Sequence, residues 1–232
     1  MRTRRAGLII LTLAAALATI TKFAGQTEVT RRFDLVLEQK KGASFEVMEP
    51  THVFNEGERI RFRLRSAVNG FLYVLNQGSS GKFVQLFPRD QLQQSREIVA
   101  GKDFLIPASG TGWFAIEGPP GFDTVYFIIS PVDLGESLPR SPKQDEDTPS
   151  RAFATATPRC DDQLFKARGE CLDLEAGVKP IQKGESLPDR IPQLSTDASR
   201  DLVVVKESKD TSISSTEPFD APAIYRFRIA HR

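Results

Sequence analysis

The sequence predicts an all-β fold, an antiparallel β-sandwich carrying a long polar insert, and three observations predict it. Short runs of β-branched, aromatic and leucine residues recur along the chain with turn residues between them. Nothing between those runs is long and apolar at the 3.6-residue period of an amphipathic helix; Asp162–Ala167 comes nearest, and only weakly. From about Val132 to Ser199 proline, serine, aspartate and lysine dominate and apolar residues become sparse. Regular strand spacing of this kind favours an immunoglobulin-like or related sandwich over alternating strands and helices.

The 232 residues fit one such domain with an appendage. The chain opens MRTRRAGLIILTLAAALATITKFAG, in which three arginines precede an uncharged stretch from Ala6 to Thr21 and Ala16-Leu17-Ala18 forms a small-x-small cleavage site. That is the architecture of a secretory signal peptide, residues 1–18, with a cut as late as 26 as the outer bound. Its apolar run is shorter than the roughly 20 residues that cross a bilayer, so no stable transmembrane anchor is expected. The sandwich is then assigned to 27–131 plus 201–232, and the insert to 132–200. The full chain carries 31 basic and 30 acidic side chains. Loss of Arg2, Arg4 and Arg5 leaves 28 against 30, a net charge of −2. A mildly acidic protein has no overall field that attracts nucleic acid, so none is expected as a partner, and any polyanion would have to be held by a local patch.

Strands are expected at Phe33–Glu38, Ser44–Met48, Arg59–Ser66, Phe71–Asn76, Lys82–Phe87, Phe104–Ile106, Gly112–Glu117, Thr124–Ser130, Asp201–Lys206 and Ala223–Ala230. Asn69 and Gly70 both tolerate positive φ and predict a two-residue hairpin turn. Gly78 to Gly81 makes a looser hairpin, and Pro120 followed by Gly121 suits a further turn with positive φ at the glycine. The expected picture is a meander of hairpins.

RIRFRLRS at 59–66 sets arginine at every second position. With the Asn69-Gly70 hairpin, Ser66 would face Tyr73 and Leu64 would face Leu75, so Phe62, Leu64, Tyr73 and Leu75 would share the core face. Arg61, Arg63 and Arg65 would lie with Leu72 and Val74 on the other, their aliphatic stems over the apolar pair and their charged ends in water. A solvated strand face explains the pattern. The sharper alternative is a cationic strip able to fork onto carboxylates, sulfates or phosphates, joined by Arg226 and Arg228 of the last strand and by the single tryptophan, Trp113.

The insert holds both cysteines, Cys160 and Cys171. In an exported chain they are expected to pair, and a loop this short contributes about 3 kcal/mol by restricting the unfolded chain. PVDLGESLP at 131–139 recurs as PIQKGESLP at 180–188, with six of nine positions identical. It reads as duplicated linker sequence, with a repeated docking peptide presenting Leu138 and Leu187 to a partner as the alternative.

Catalytic signatures are missing from the chain. It has no glycine-rich phosphate loop with its lysine, no serine elbow and no paired histidines. Asp161-Asp162 and the acidic run 145–147 sit in polar surroundings and read as loop. His52 follows Pro50-Thr51 at a strand edge, and His231 is next to the last residue. No cofactor or metal site is expected; a hydrolase built from separated carboxylates leaves no local signature and stands as the third reading.

Five pieces, FNEGERIRF from Phe54, GFLYVLN from Gly70, GKFVQLFP from Gly81, Ile106-Pro107, and GPPGFDTVYFIIS from Gly118, occur in an order and spacing that resemble the bacterial domain-of-unknown-function family 4384, over about residues 46–131. The resemblance implies a small β domain of exported or modular bacterial proteins and no catalytic residue. The expected function is an exported, periplasmic or secreted, non-enzymatic module that binds an envelope or extracellular protein. The alternative is a glycan or anionic-polymer module using the arginine face.

Overall fold

The computed structural model describes residues 31–89, 95–108, 112–135, 157–161, 169–181, 187–188, 191, 202–207 and 209–232. The leader 1–18, Leu138, the acidic run 145–147 and Asp162–Ala167 lie outside the described residues. The fold is an all-β sandwich, and the described residues form two sheets of seven strands each.

The first sheet contains β1 (Arg31–Lys41), β2 (Ser44–Val47), β4 (Arg59–Ser66), β8 (Asp103–Ile106), β9 (Phe114–Ala115), β12 (Val203–Glu207) and β13 (Asp210–Ser215). Its main order is β12-β13-β1-β4-β8, with β2 paired to β1 and β9 to β4. The second contains β3 (Val53–Phe54), β5 (Gly70–Gln77), β6 (Phe83–Phe87), β7 (Glu97–Ile98), β10 (Gly121–Ser130), β11 (Gly177–Lys179) and β14 (Ala223–His231). Its order is β11-β14-β10-β5-β6, with β3 beside β14 and β7 beside β5. Pairing is antiparallel except β3 with β14.

Alternation fills the space between the sheets. Phe33, Leu35 and Leu37 of β1 and Ile60, Phe62 and Leu64 of β4 meet Leu72 and Val74 of β5, Val125, Phe127 and Ile129 of β10, and Tyr225, Phe227 and Ile229 of β14. Phe62 sits edge-on to Phe127 and Phe227, with ring centroids 5.2 and 5.4 Å away. Such pairs add about 0.5–1.5 kcal/mol each beyond the area they bury.

The expected strands are present with shifted ends, and Gly112–Glu117 contracts to the two residues of β9. Four strands carry no sequence signal. Three are two or three residues long, and β13, DTSISS, is too polar to be legible, although it is paired on both sides.

The largest correction concerns the turn at Asn69-Gly70. β4 and β5 do not pair; the chain crosses there from one sheet to the other. The hairpin registers therefore do not form. Leu72 and Val74 point into the sandwich, and Tyr73 and Leu75 point to the outside of the second sheet, into a separate apolar cluster. Gly70 is required for closeness rather than positive φ: a Cβ there would lie 2.7 Å from the Ser130 carbonyl oxygen. Likewise the positive φ of the 118–121 turn falls on Gly118, not Gly121. The Gly78–Gly81 hairpin forms as expected between β5 and β6, closed by the Gly78 amide donating to the Lys82 carbonyl at 2.8 Å. Sheet crossings replace the simple meander.

The insert is not all irregular. β11 lies within it and extends the second sheet, and Ile181, Ile191, Leu187 and Leu134 cover Tyr73, Leu75, Tyr126 and Ile128 on that sheet's outer face.

Candidate functional site

The arginine row lies on the outer face of the first sheet, between two acidic neighbours. Glu38 of β1 accepts from Arg61 Nε at 2.6 Å and from Arg63 Nε at 2.9 Å. Asp103 of β8 accepts from Arg65 Nε at 2.7 Å and stands 3.8 Å from Arg63 Nη1. The Arg61 guanidinium also stacks on Phe45 of β2, 3.5 Å from the ring centroid. Phe45 thus supplies the apolar support expected of Leu72 and Val74, which face the core of the other sheet. Side-chain exposure rises along the row, from 15% at Arg61 through 34% at Arg63 to 55% at Arg65, so coverage is greatest where the ion pair is tightest.

Arg226 and Arg228 are not brought to this row. They lie on β14 in the second sheet, where Arg228 stacks on Phe122 at 4.2 Å and pairs with Glu175 at 3.2 Å. Trp113 is closer to the row than they are: Arg59, on the same strand, stacks over its ring at 4.2 Å, and Lys40 Nζ lies 5.7 Å away.

Cys160 and Cys171 form a disulfide with Cα atoms 4.8 Å apart. Cys171 packs with Val53, Ala176 and Ala230, fastening the loop to the end of β14. Asp161 accepts from the Leu174 amide at 3.0 Å and Asp173 from the Glu175 amide at 2.8 Å, which makes these carboxylates loop staples. Leu187 of the second repeat packs against the apolar cluster on the outer face of the second sheet. The start of the first repeat is clamped to the same sheet. Tyr73 Oη donates to Asp133, which also accepts from Arg96 Nη1 at 3.0 Å. The Tyr73 bond, the Gly135 amide and the Arg96 guanidinium hold the Asp133 carboxyl below its ordinary range. Burial and that same bond push the Tyr73 hydroxyl up.

A cleft of about 320 Å³ opens at one end of the sandwich, where the sheets part. Its floor is apolar, formed by Ile60 and Phe62 from the first sheet and Val125 and Ile229 from the second, with Leu86 and Phe114 as walls. Trp113, Arg89 and Glu117 line it as well. At this end the inward-facing rows of the second sheet turn polar. Asn76 continues the row of Leu72 and Val74, Asp123 continues that of Val125 and Phe127, and His231 continues that of Phe227 and Ile229. Asp123 Oδ1 accepts from the Ser79 amide at 2.7 Å and lies 3.2 Å from Nε2 of the buried His231. Asn76 Oδ1 is buried and has no donor among the described residues. Gln39, at the equivalent end of β1 opposite Ile60, is 2% exposed and its Oε1 is also without a donor. Two such acceptors at one end of a fold are unusual, because burying an unpaired carbonyl oxygen costs about 1–3 kcal/mol.

Residues 53–133 match the family described as Domain of unknown function (DUF4384). The match agrees with the resemblance seen at 46–131. It covers β3 to β10, and of the cleft lining only Ile229 comes from outside the DUF4384 segment. Neither the curated proteins nor the solved structures contain a match to the chain.

The sequence expectations passed over this cleft. His231, next to the last residue, is 1% exposed and lies 3.2 Å from Asp123 Oδ1. Asn76 and Asp123 are polar residues near strand ends and give no local signal of the cleft; pairing of β5 with β10 brings them together. His52 is half-buried with its ring 4.7 Å from that of Phe54, and burial holds its imidazole below the ordinary histidine value. Among the described residues no group of three or more histidine, cysteine, aspartate or glutamate side chains could hold a metal ion, and no helix is long and apolar enough to cross a membrane.

Proposed function

We propose that this protein is an exported, non-enzymatic binding module of the cell envelope or extracellular space, and that its ligand enters the cleft at the end of the sandwich. Export is supported by the leader MRTRRAGLIILTLAAALA and by the disulfide, which suits an oxidising compartment. The observation that carries the binding role is the cleft itself. It combines an apolar floor with a few convergent polar groups, among them Arg89, Glu117 and Asp123, at a volume usual for ligand sites.

The arginine face supports the polymer-binding alternative less well. Glu38 and Asp103 already engage Arg61, Arg63 and Arg65, so an anion would have to displace a carboxylate to gain them. The hydrolase reading would use the two carboxylates of the cleft, Asp123 and Glu117; it is supported less well because Asp123 Oδ1 is already engaged by the Ser79 amide and by His231.

The test uses Trp113, the single tryptophan of the chain and part of the cleft lining. Titration of the mature protein with fractionated envelope extract is expected to change its fluorescence, and the change is expected to be lost in Asn76→Phe, which fills the cleft. Circular dichroism of the variant checks that the sheets are retained. A folded variant that still captures the same component would place binding elsewhere.

A further inference from the structure

We propose that the open edge of β12 is an interface with a second copy of this chain, whose own β12 pairs with it antiparallel about Val204. The first sheets of two molecules then run on as one. The inference is independent of the cleft.

β12 ends the first sheet, and among the described residues no strand pairs with its far side. The other sheet ends are blunted by devices that stop a further strand from adding. β8 has four residues and runs into Pro107, and β11 has three and runs into Pro180. β6 runs into Pro88 and meets β5 through a bulge at Val74 and Leu75. β12 reads VVVKE and has neither proline nor bulge. Its one basic side chain, Lys206, pairs with Glu49 of the same chain at 2.9 Å, so its charge does not guard the edge. Five large hydrophobic side chains are exposed among the described residues, and the two that lie in strands are Val203 and Val205, at 58% and 43%. Val204 between them packs on the main core, which puts this pair on the outer face beside Ser212 and Ser214.

The edge is complementary to itself. Glu207 faces Asp210 across a two-residue turn, a pair that exchanges both of its hydrogen bonds, so by alternation Val203 and Val205 bond to β13. Leu202, Val204 and Lys206 direct their N–H and C=O groups to the open side. Antiparallel pairing about Val204 lets each Val204 N–H donate to the Val204 carbonyl of the second copy, and sets Lys206 against Leu202. The two lysines therefore do not meet, and the like-charge repulsion that would reject a second copy is avoided. On the outer face, Val203 of each molecule falls opposite Val205 of the other. These pairs are not hydrogen-bonded to each other, which is where facing side chains come closest. This register alone matches every exposed valine with another; pairing about Val205 would leave Val203 against Glu207. Burial of the four valines supplies the apolar contact, and the main-chain bonds supply direction, as in other strand additions. Antiparallel pairing of identical strands is two-fold symmetric, so assembly stops at two.

Sedimentation velocity of the mature protein, from micromolar to millimolar concentration, is expected to show monomer passing to dimer. Lys206→Pro removes an N–H that faces the open side and no bond to β13, and Val205→Lys puts a charge on the exposed face of the strand. Each is expected to weaken the dimer severalfold, and the Val205 variant changes an exposed side chain, so it keeps the test valid even where the proline disturbs β12. Cysteine crosslinking reads the register, since the described chain has no free cysteine. Facing Cα atoms in such a pair lie about 4.5 Å apart, within disulfide reach. An equimolar mixture of Val203→Cys and Val205→Cys is expected to form disulfide-linked dimer severalfold faster than either variant alone. A mixture no faster than its components, or a dimer that Lys206→Pro and Val205→Lys leave intact, overturns the proposal. So does a protein that stays monomeric throughout, whether its β12 edge is left open or is taken by another envelope polypeptide.

Discussion

The outer faces of the two sheets carry the same alternation and end in opposite states. On the first, the outward positions of β4 are arginines; Arg61, Arg63 and Arg65 are set against Glu38 or Asp103, Arg59 against the Trp113 ring, and exposure rises from Arg61 to Arg65. On the second, the outward positions of β5 are Phe71, Tyr73 and Leu75, and the insert lies over them through Leu134, Ile181, Leu187 and Ile191. The first face is stabilised within the sheet, by charges on neighbouring strands. The second exposes an apolar surface that only distant chain can cover. A β-sandwich can therefore hold a segment poor in apolar residues by giving its few hydrophobes one place to go, which offsets the entropy of ordering it.

The sharpest break of this comparison is Leu75→Asp. Leu75 is fully buried between the second sheet and the insert, and a carboxylate there has no partner. Urea unfolding is expected to show a loss of about 4 kcal/mol or outright failure to fold. A near-neutral result would mean that the insert does not cover this face.

Glu38→Gln probes the other sheet. It keeps the shape but removes the charge that serves both Arg61 and Arg63, on a side chain 8% exposed. About 2 kcal/mol is expected to be lost in the same assay.

A smaller effect comes from pH and reports on the disulfide loop, since His52 bridges to Leu172 there. Burial depresses the folded pKa of His52. The unfolded chain takes up a proton near its ordinary value of about 6.5, which the folded protein accepts only at lower pH. Stability from this group is therefore complete above about 6.5, falls as pH drops below it, and levels off beneath the folded value. His52→Gln is expected to flatten that part of the curve between pH 7.5 and 5. An unchanged slope would assign it to other groups.

Least affected should be Arg65→Ala. Its ion pair with Asp103 is largely in water, with side chains 55% and 38% exposed, and thermal unfolding is expected to register less than about 0.5 kcal/mol. A loss comparable to that of Glu38→Gln would show the row acting as one network.

Local alternation made the strands legible. RIRFRLRS had to put Ile60, Phe62 and Leu64 on one side and arginines on the other, and the fold class follows from that; the acidic and aromatic neighbours that cover Arg61 and Arg63 could not be read from it. The cysteine pairing was equally readable, from the count and the compartment implied by the leader. Asn69-Gly70 misled because its residue types suit a hairpin, whereas the actual constraint on Gly70 is the Ser130 carbonyl 2.7 Å from where a Cβ would be, an atom 60 residues away.

What the sequence by itself determined is the set of residues that share a face, because period-two alternation is a property of each strand alone. Only the tertiary structure decided which faces meet. β5 is apolar on both sides, so parity could not tell Leu72 and Val74, which enter the main core, from Tyr73 and Leu75, which the insert covers. The cleft was settled at the same level. Asn76 and Asp123 are ordinary polar residues on separate strands until β5 and β10 align side by side and the first sheet closes over them. The physical reason is that alternation is local, whereas the pairing of faces is fixed by where the whole chain can bury apolar surface.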